Sequence, residues 1–151
     1  MKKGIIIIVV ILTAFGCRKS TSTGGIESEY PDPTAQETQL YEEVIAVHDK
    51  VMPRLGDIAS LKSRIEEQIG ILESNPGHDP ERLAKLRNQM KVLDEADEAM
   101  MAWMRQFIAS YEGWKHDSTM HYLNGEKDKI EKVDEMVDNA IRQTKVLLGE
   151  E

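Results

Sequence analysis

Residues 79–111, DPERLAKLRNQMKVLDEADEAMMAWMRQFIASY, decide the fold. The stretch opens on Asp79, whose short carboxylate suits a helix N-cap, followed by Pro80 at the first helical position and Glu81 in the first turn. Apolar residues then fall at Leu83, Leu86, Met90, Leu93, Ala96, Met100, Met104, Phe107 and Tyr111, in steps of three and four that keep one stripe on one helical face. Toward the C-terminal half Met101, Trp103 and Ile108 add a second apolar edge, so this helix needs a partner on each side. It reads as the middle of three, with Leu83, Leu86, Met90, Leu93, Met100, Met104 and Phe107 as its core-packing residues.

The partners lie on either side of it. Upstream, Leu40, Val44, Val47, Val51, Leu55, Ile58, Leu61, Ile65, Ile69 and Leu72 keep the helical period across Pro53. An interior proline removes a backbone hydrogen bond and crowds the preceding turn, a cost of about 3 kcal/mol, so the unbroken register predicts a kink between residues 49 and 56 in one helix. Downstream, Met120, Leu123, Ile130, Val133, Val137, Ile141, Thr144 and Leu148 form a third series, with a weak point at Asn124-Gly125. SNPGH at residues 74–78 and Gly113 supply the two reversals, and short reversals place neighbouring helices antiparallel. The expected fold is all-α: an antiparallel up-down-up three-helix bundle over residues 37–148, with helices at about 38–73, 80–111 and 118–148 and a tail at 149–151.

Composition agrees with this reading. Of the 151 residues 40% are hydrophobic but only 5% aromatic, so the core has to be aliphatic and rich in methionine, which helices accommodate better than sheets. The formal net charge is -8, and loss of Lys2 and Lys3 would leave 17 basic against 27 acidic residues. Such a balance opposes binding to nucleic acid, or to anionic lipid, through bulk charge.

The first 17 residues, MKKGIIIIVVILTAFGC, place two lysines before an apolar run that is too short to span a membrane and has the form of a secretory signal over residues 1–16. Cys17 is the only cysteine, so no disulfide within the chain accounts for it. Residues 18–36, RKSTSTGGIESEYPDPTAQ, have almost no apolar content and are expected to form a disordered tether with a reach of roughly 20 to 25 Å.

Gly16-Cys17 resembles the cleavage site of bacterial lipoprotein signals, in which a small residue precedes the lipid-acceptor cysteine. Ala14 and Phe15 depart from the usual leucine-then-small pattern, and Ala14-Phe15-Gly16 also passes as an ordinary small-x-small site, which would leave a secreted protein with a free thiol. The lipoprotein likeness makes Cys17 the lipid-attachment residue, with acyl chains such as palmitate holding the protein at a membrane surface without spanning it. Arg18-Lys19 is unlike the acidic tract of exported surface lipoproteins, which favours the periplasmic face, and the expected location is the outer membrane with the domain facing the periplasm. Together with the motifs His48-Asp49-Lys50-Val51-Met52-Pro53 and Met100-Met101-Ala102-Trp103-Met104-Arg105-Gln106-Phe107, the chain resembles a group of small Bacteroidota lipoproteins often labelled "viral A-type inclusion protein". That resemblance implies a lipid anchor and a helical periplasmic domain, and brings no established activity, cofactor or catalytic residue.

The candidate sites are few. If residues 74–78 are the pivot of an antiparallel pair, His48 and Met52 lie level with Met101 and Met104, and imidazole plus thioether ligands suit Cu(I). Methionines at helical spacing more commonly fill core gaps, and eight in a chain this poor in aromatics are what packing needs. Haem between the helices is a weaker variant of the same idea, without a C-x-x-C-H. His116, Met120 and His121 form a second soft-ligand group that reads first as a solvated helix end. Asp97 reads as a residue at the edge of the core, and Asp94, Glu95 and Glu98 as a solvated acidic face without the glycine-bearing loop of calcium sites. No phosphate-binding glycine loop, H-E-x-x-H or nucleophile with a base is present, so no enzyme is expected. The expected function is a structural or protein-interaction module of the cell envelope, anchored through N-terminal acyl chains and facing an envelope protein partner, with no cofactor, nucleic acid or small-molecule substrate. The alternative is a periplasmic copper-binding protein.

Overall fold

The computed structural model describes residues 32–77 and 79–150. The signal and Cys17 lie outside the described residues. Among them every element is helical: α1 (Pro33–Val51), α2 (Arg54–Glu73), α3 (Pro80–Gln106) and α4 (His116–Leu148). None of these helices is long and apolar enough to cross a membrane.

Two helices open on the same Asp-Pro device. Asp79 accepts hydrogen bonds from the backbone N–H groups of Glu81 (2.9 Å) and Arg82 (3.1 Å), with Pro80 at the first helical position. Asp32 accepts from Thr34 N–H (3.0 Å), with Pro33 next, so α1 starts five residues before the expected Thr38. Residues 33–36, assigned to the tether on composition, are therefore helical, because the cap outweighs the polar side chains beyond it.

Pro53 divides the expected first helix more deeply than a kink. The backbone at Met52 and Pro53 stays in the right-handed region, but with no N–H at Pro53 the ladder lapses. Met52 N–H still bonds His48 O at 3.0 Å, whereas Leu55 and Gly56 bond only three residues back, to Met52 O (3.3 Å) and Pro53 O (3.2 Å). α1 and α2 are thus two helices joined by a two-residue turn. Gly125, by contrast, interrupts nothing, and α4 runs unbroken to a C-terminal cap in which Gly149 takes the left-handed conformation (φ 76°). There Gly149 N–H bonds Val146 O (3.1 Å) and Glu150 N–H bonds Lys145 O (3.0 Å), satisfying the last carbonyls.

α3 ends at Gln106, five residues short of the expected Tyr111. Phe107 turns to an extended backbone (ψ 125°), and Ile108 N–H donates to the Tyr122 hydroxyl (2.6 Å) in place of an intrahelical carbonyl. The chain then turns through Gly113 (φ 82°), the position expected to close this helix, which sits in the loop beyond it.

The buried residues keep to a seven-residue repeat. On α3 they are Leu83, Leu86, Gln89, Leu93, Ala96, Met100 and Trp103; on α4, Thr119, Leu123, Glu126, Ile130, Val133, Val137, Ala140, Ile141 and Thr144. From Leu86 to Trp103, and along α4 apart from Ile141, the steps alternate between three and four and return successive residues to one narrow seam, as in coiled-coil packing; Leu83 and Ile141 stand beside it. The strict repeat corrects the expected stripe at two places: Gln89 takes the seam where Met90 was expected, and Trp103 takes it where Met104 was expected. Met90, Met104 and Phe107 pack against the core half-buried, while Leu83, Leu86, Leu93 and Met100 are buried as expected. The centre joins Val44, Val51, Ile58 and Ile65 to Leu86, Leu93, Met100, Ile130 and Val137. Each fully buried aliphatic side chain contributes about 1.5 to 3 kcal/mol, so this seam dominates the stability.

Polar pairs fix the order along the seams. Lys62 meets Asp94 (2.6 Å) and Glu73 meets Arg87 (2.5 Å), so residue numbers on α2 and α3 run in opposite senses. From α1 and α2 to α4 they rise together: Glu37 to His116 (2.7 Å), Glu43 to Lys127 (2.7 Å), Lys50 to Asp134 (2.6 Å) and Arg64 to Glu150 (2.6 Å). Asp97 is half-buried at the edge of the core, and its charge acts on Lys62, while Arg54 pairs with Asp134 and Asp138.

Candidate functional site

The four residues of the copper alternative are dispersed in exposure. Met52 and Met101 are 36% and 40% exposed, whereas Met104 packs against the core. The His48 ring lies 5.8 Å from the Trp103 ring, and its Nδ1 is 2.8 Å from Asp49 Oδ1. The MMAWM segment is accordingly split, with Met100 and Trp103 turned inward and Met101 outward. Of the second soft-ligand group, His116 pairs with Glu37 at 2.7 Å and His121 is exposed.

A different constellation stands out, at the end of the bundle formed by α1, the end of α3 and the start of α4. Every aromatic residue among the described ones belongs to it. Trp103 stacks on Phe107 with centroids 4.8 Å apart, and Phe107 lies 6.1 Å from Tyr41 and 6.2 Å from Tyr122. Trp114 meets Tyr122 nearly at right angles (centroids 5.5 Å, planes 72°) and lies 6.5 Å from Tyr111. Such edge-to-face and offset pairs add about 0.5 to 1.5 kcal/mol beyond the area they bury. Burial pushes the Tyr111 and Tyr122 hydroxyls above the ordinary tyrosine value.

Beside these rings sits Glu126, a seam residue on α4 that is only 3% exposed. Its Oε1 accepts from Lys129 Nζ at 2.7 Å, a hydrogen bond that raises Lys129 above the usual lysine range. Its Oε2 has no hydrogen-bond partner, nor has the buried indole N–H of Trp103. The contacts Ile108 to Tyr122 and Gln89 to Thr144 set the register of α3 on α4 and put Trp103 and Glu126 at about the same level. Glu126, Trp114, Asp117, Ser118, His121, Tyr122, Gly125 and Lys129 line an open recess of about 570 Å³.

The sequence reading missed this site. Its one local signal was the gap between Leu123 and Ile130 in the third apolar series, because a seven-residue repeat assigns the missing position to Glu126. The rings gave no such signal, since Trp103, Trp114 and Tyr122 belong to three different segments. A second buried polar group, equally missed, lies toward the far end of the same interface: Gln89 Nε2 donates to Thr144 Oγ1 (3.0 Å) and Ala140 O (3.3 Å), and Thr144 Oγ1 donates to Ala140 O (2.7 Å). The Gln89 amide nitrogen and the Thr144 hydroxyl are both engaged, and the pair reads as a register lock between α3 and α4.

No family model, curated protein or solved structure matches the chain.

Proposed function

We propose that this protein is a lipid-anchored, periplasm-facing helical bundle of the Bacteroidota lipoprotein kind, acting as a structural or interaction module that presents acidic helical surface to an envelope protein partner. In this reading α1 and α2 act as one bent helix, and the bundle is up-down-up with α3 antiparallel to its neighbours. The opposed residue numbers of the α2 and α3 ion pairs support that arrangement. The observation that carries the function is the outer face of α4, where Asp128, Glu131 and Glu135 stand exposed at helical spacing, away from a seam that spends the apolar side chains on internal packing. Cys17, directly after the apolar N-terminal run, supplies the anchor.

Fatty-acid labelling in cells should mark the wild-type chain and spare Cys17→Ala; equal labelling of both defeats the anchor. Crosslinking in intact envelopes should yield a discrete adduct that weakens at high salt and is lost when Asp128, Glu131 and Glu135 are all changed to Lys. An adduct indifferent to both changes removes the acidic face from the account.

A copper-binding role has a narrower basis: His48 and Met104 both lie near the Trp103 end of the core. Submicromolar Cu(I) uptake that disappears in His48→Ala would move this reading ahead.

A further inference from the structure

We propose that the recess between Trp114 and Glu126 binds a primary alkylammonium group, carried by a free diamine or by a lysine side chain. The inference is independent of the lipid anchor and of the acidic face of α4.

The demand for a donor comes from Glu126. A carboxylate taken out of water needs both of its oxygens satisfied, yet Lys129 serves only Oε1 and Oε2 meets no donor. Glu126 lines the recess, but Oε2 itself is screened from solvent, so a donor seated in the recess reaches it as the side chains around the carboxylate move aside. The acceptor selects for N–H groups. A quaternary ammonium could not supply one.

The walls favour a cation with an apolar stem. Trp114, 43% exposed, and Tyr122 both line the recess and touch edge to face at 72°, so a cation there meets aromatic surface on one wall. The charged and titratable groups lining the recess are Asp117, His121, Tyr122, Glu126 and Lys129. Lys129 is committed to Glu126, and the net charge of the chain, -8, attracts cations to the surface as a whole. Gly125 supplies the room: a methyl group built on it meets no other atom within 4 Å. A bulkier residue at 125 would project into that space while α4 keeps its helical backbone, which gives a way to fill the recess without touching its charge.

The test titrates the full-length chain, held in mild detergent, with 1,5-diaminopentane, with Nα-acetyl-lysine methylamide and with 1-pentanol. Calorimetry and tryptophan fluorescence give the readout, and circular dichroism checks the fold of each variant. The diamine or the lysine derivative should saturate below about 1 mM, and the uncharged alcohol should not. Tighter binding of the diamine identifies a free amine as the ligand, and tighter binding of the lysine derivative identifies a protein side chain. Glu126→Gln should weaken binding at least tenfold, and Gly125→Leu, which improves helix propensity, should abolish it with the fold intact. The proposal fails if no amine saturates below about 1 mM, if 1-pentanol competes equally, or if folded Gly125→Leu binds as the wild type does.

Discussion

Gln89 occupies a core seam position that Leu or Met would ordinarily fill, and it is tolerated because its amide nitrogen donates to two acceptors on α4. The same seam carries Thr144, which is wholly buried, while Gln89 is 8% exposed, so water offers little replacement for their hydrogen bonds. Removing the Thr144 hydroxyl leaves the buried amide of Gln89 only the longer bond to Ala140 O (3.3 Å), whereas replacing both polar groups restores an apolar contact. Thr144→Val is therefore expected to cost about 1 to 3 kcal/mol, and the double variant Gln89→Leu with Thr144→Val less than the sum of the two single changes. Urea unfolding of the four proteins in that cycle measures the coupling, and strict additivity would contradict it. The apolar stripe read from the sequence misses this residue by one position, for a physical reason. A stripe of steps three and four defines a face about two residues wide, and choosing Met90 over Gln89 on hydrophobicity ignores that a partner can satisfy an amide.

At the scale of elements, the Asp-Pro caps and the proline break are local matters and legible in principle. Asp32-Pro33 has the same form as Asp79-Pro80, although its polar surroundings mask it as a helix start. The contacts that brace the break were not legible. Arg54, the first residue of α2, reaches Asp134 at 2.8 Å and also pairs with Asp138, while Lys50, before the break, pairs with Asp134 at 2.6 Å. The weakened segment of the ladder is in this way clamped to α4. The Arg54 side chain is 18% exposed and the Lys50 side chain 58%, so screening by water separates their contributions. Arg54→Ala should cost about 1 to 2 kcal/mol, and Lys50→Ala less than about 1. The discriminating measurement is amide hydrogen exchange at residues 54–56, which should accelerate in Arg54→Ala and change little in Lys50→Ala.

For the whole molecule, pH is the probe of the charge pairs within and between helices. Lys62, Lys127 and Lys129 are each held above the ordinary lysine value, first by their hydrogen bonds to Asp94, Glu43 and Glu126. A raised lysine contributes stability that is fully present below its unfolded value and is lost as pH rises through its folded value. Burial raises Tyr111 and Tyr122 as well, and since the unfolded chain then ionises first, they act with the same sign. Glu43, lowered mainly by its hydrogen bond to Lys127, works on the other limb: its contribution is present above the ordinary glutamate value and is lost as pH falls. Melting temperature should therefore hold across neutrality and decline through the lysine and tyrosine range. The slope is shallow because these lysines lie at the solvent boundary, and added salt should flatten the lysine part. A melting temperature unchanged through that range would refute the assignment.

The sequence by itself determined that the described chain is helical, where the reversals fall, and which apolar residues can share a face, because caps, prolines and the three-and-four spacing act through neighbours in the chain. It also carried the gap at Glu126, though only as a missing apolar residue. The tertiary structure alone decided that Gln89 meets Thr144, that Arg54 bridges two carboxylates eighty residues and more away, and that rings from α1, α3, the loop after α3 and α4 gather beside a carboxylate with one unpaired oxygen. Those outcomes depend on the register between helices, which is set by how whole seams interdigitate and is not encoded in any one stretch of chain.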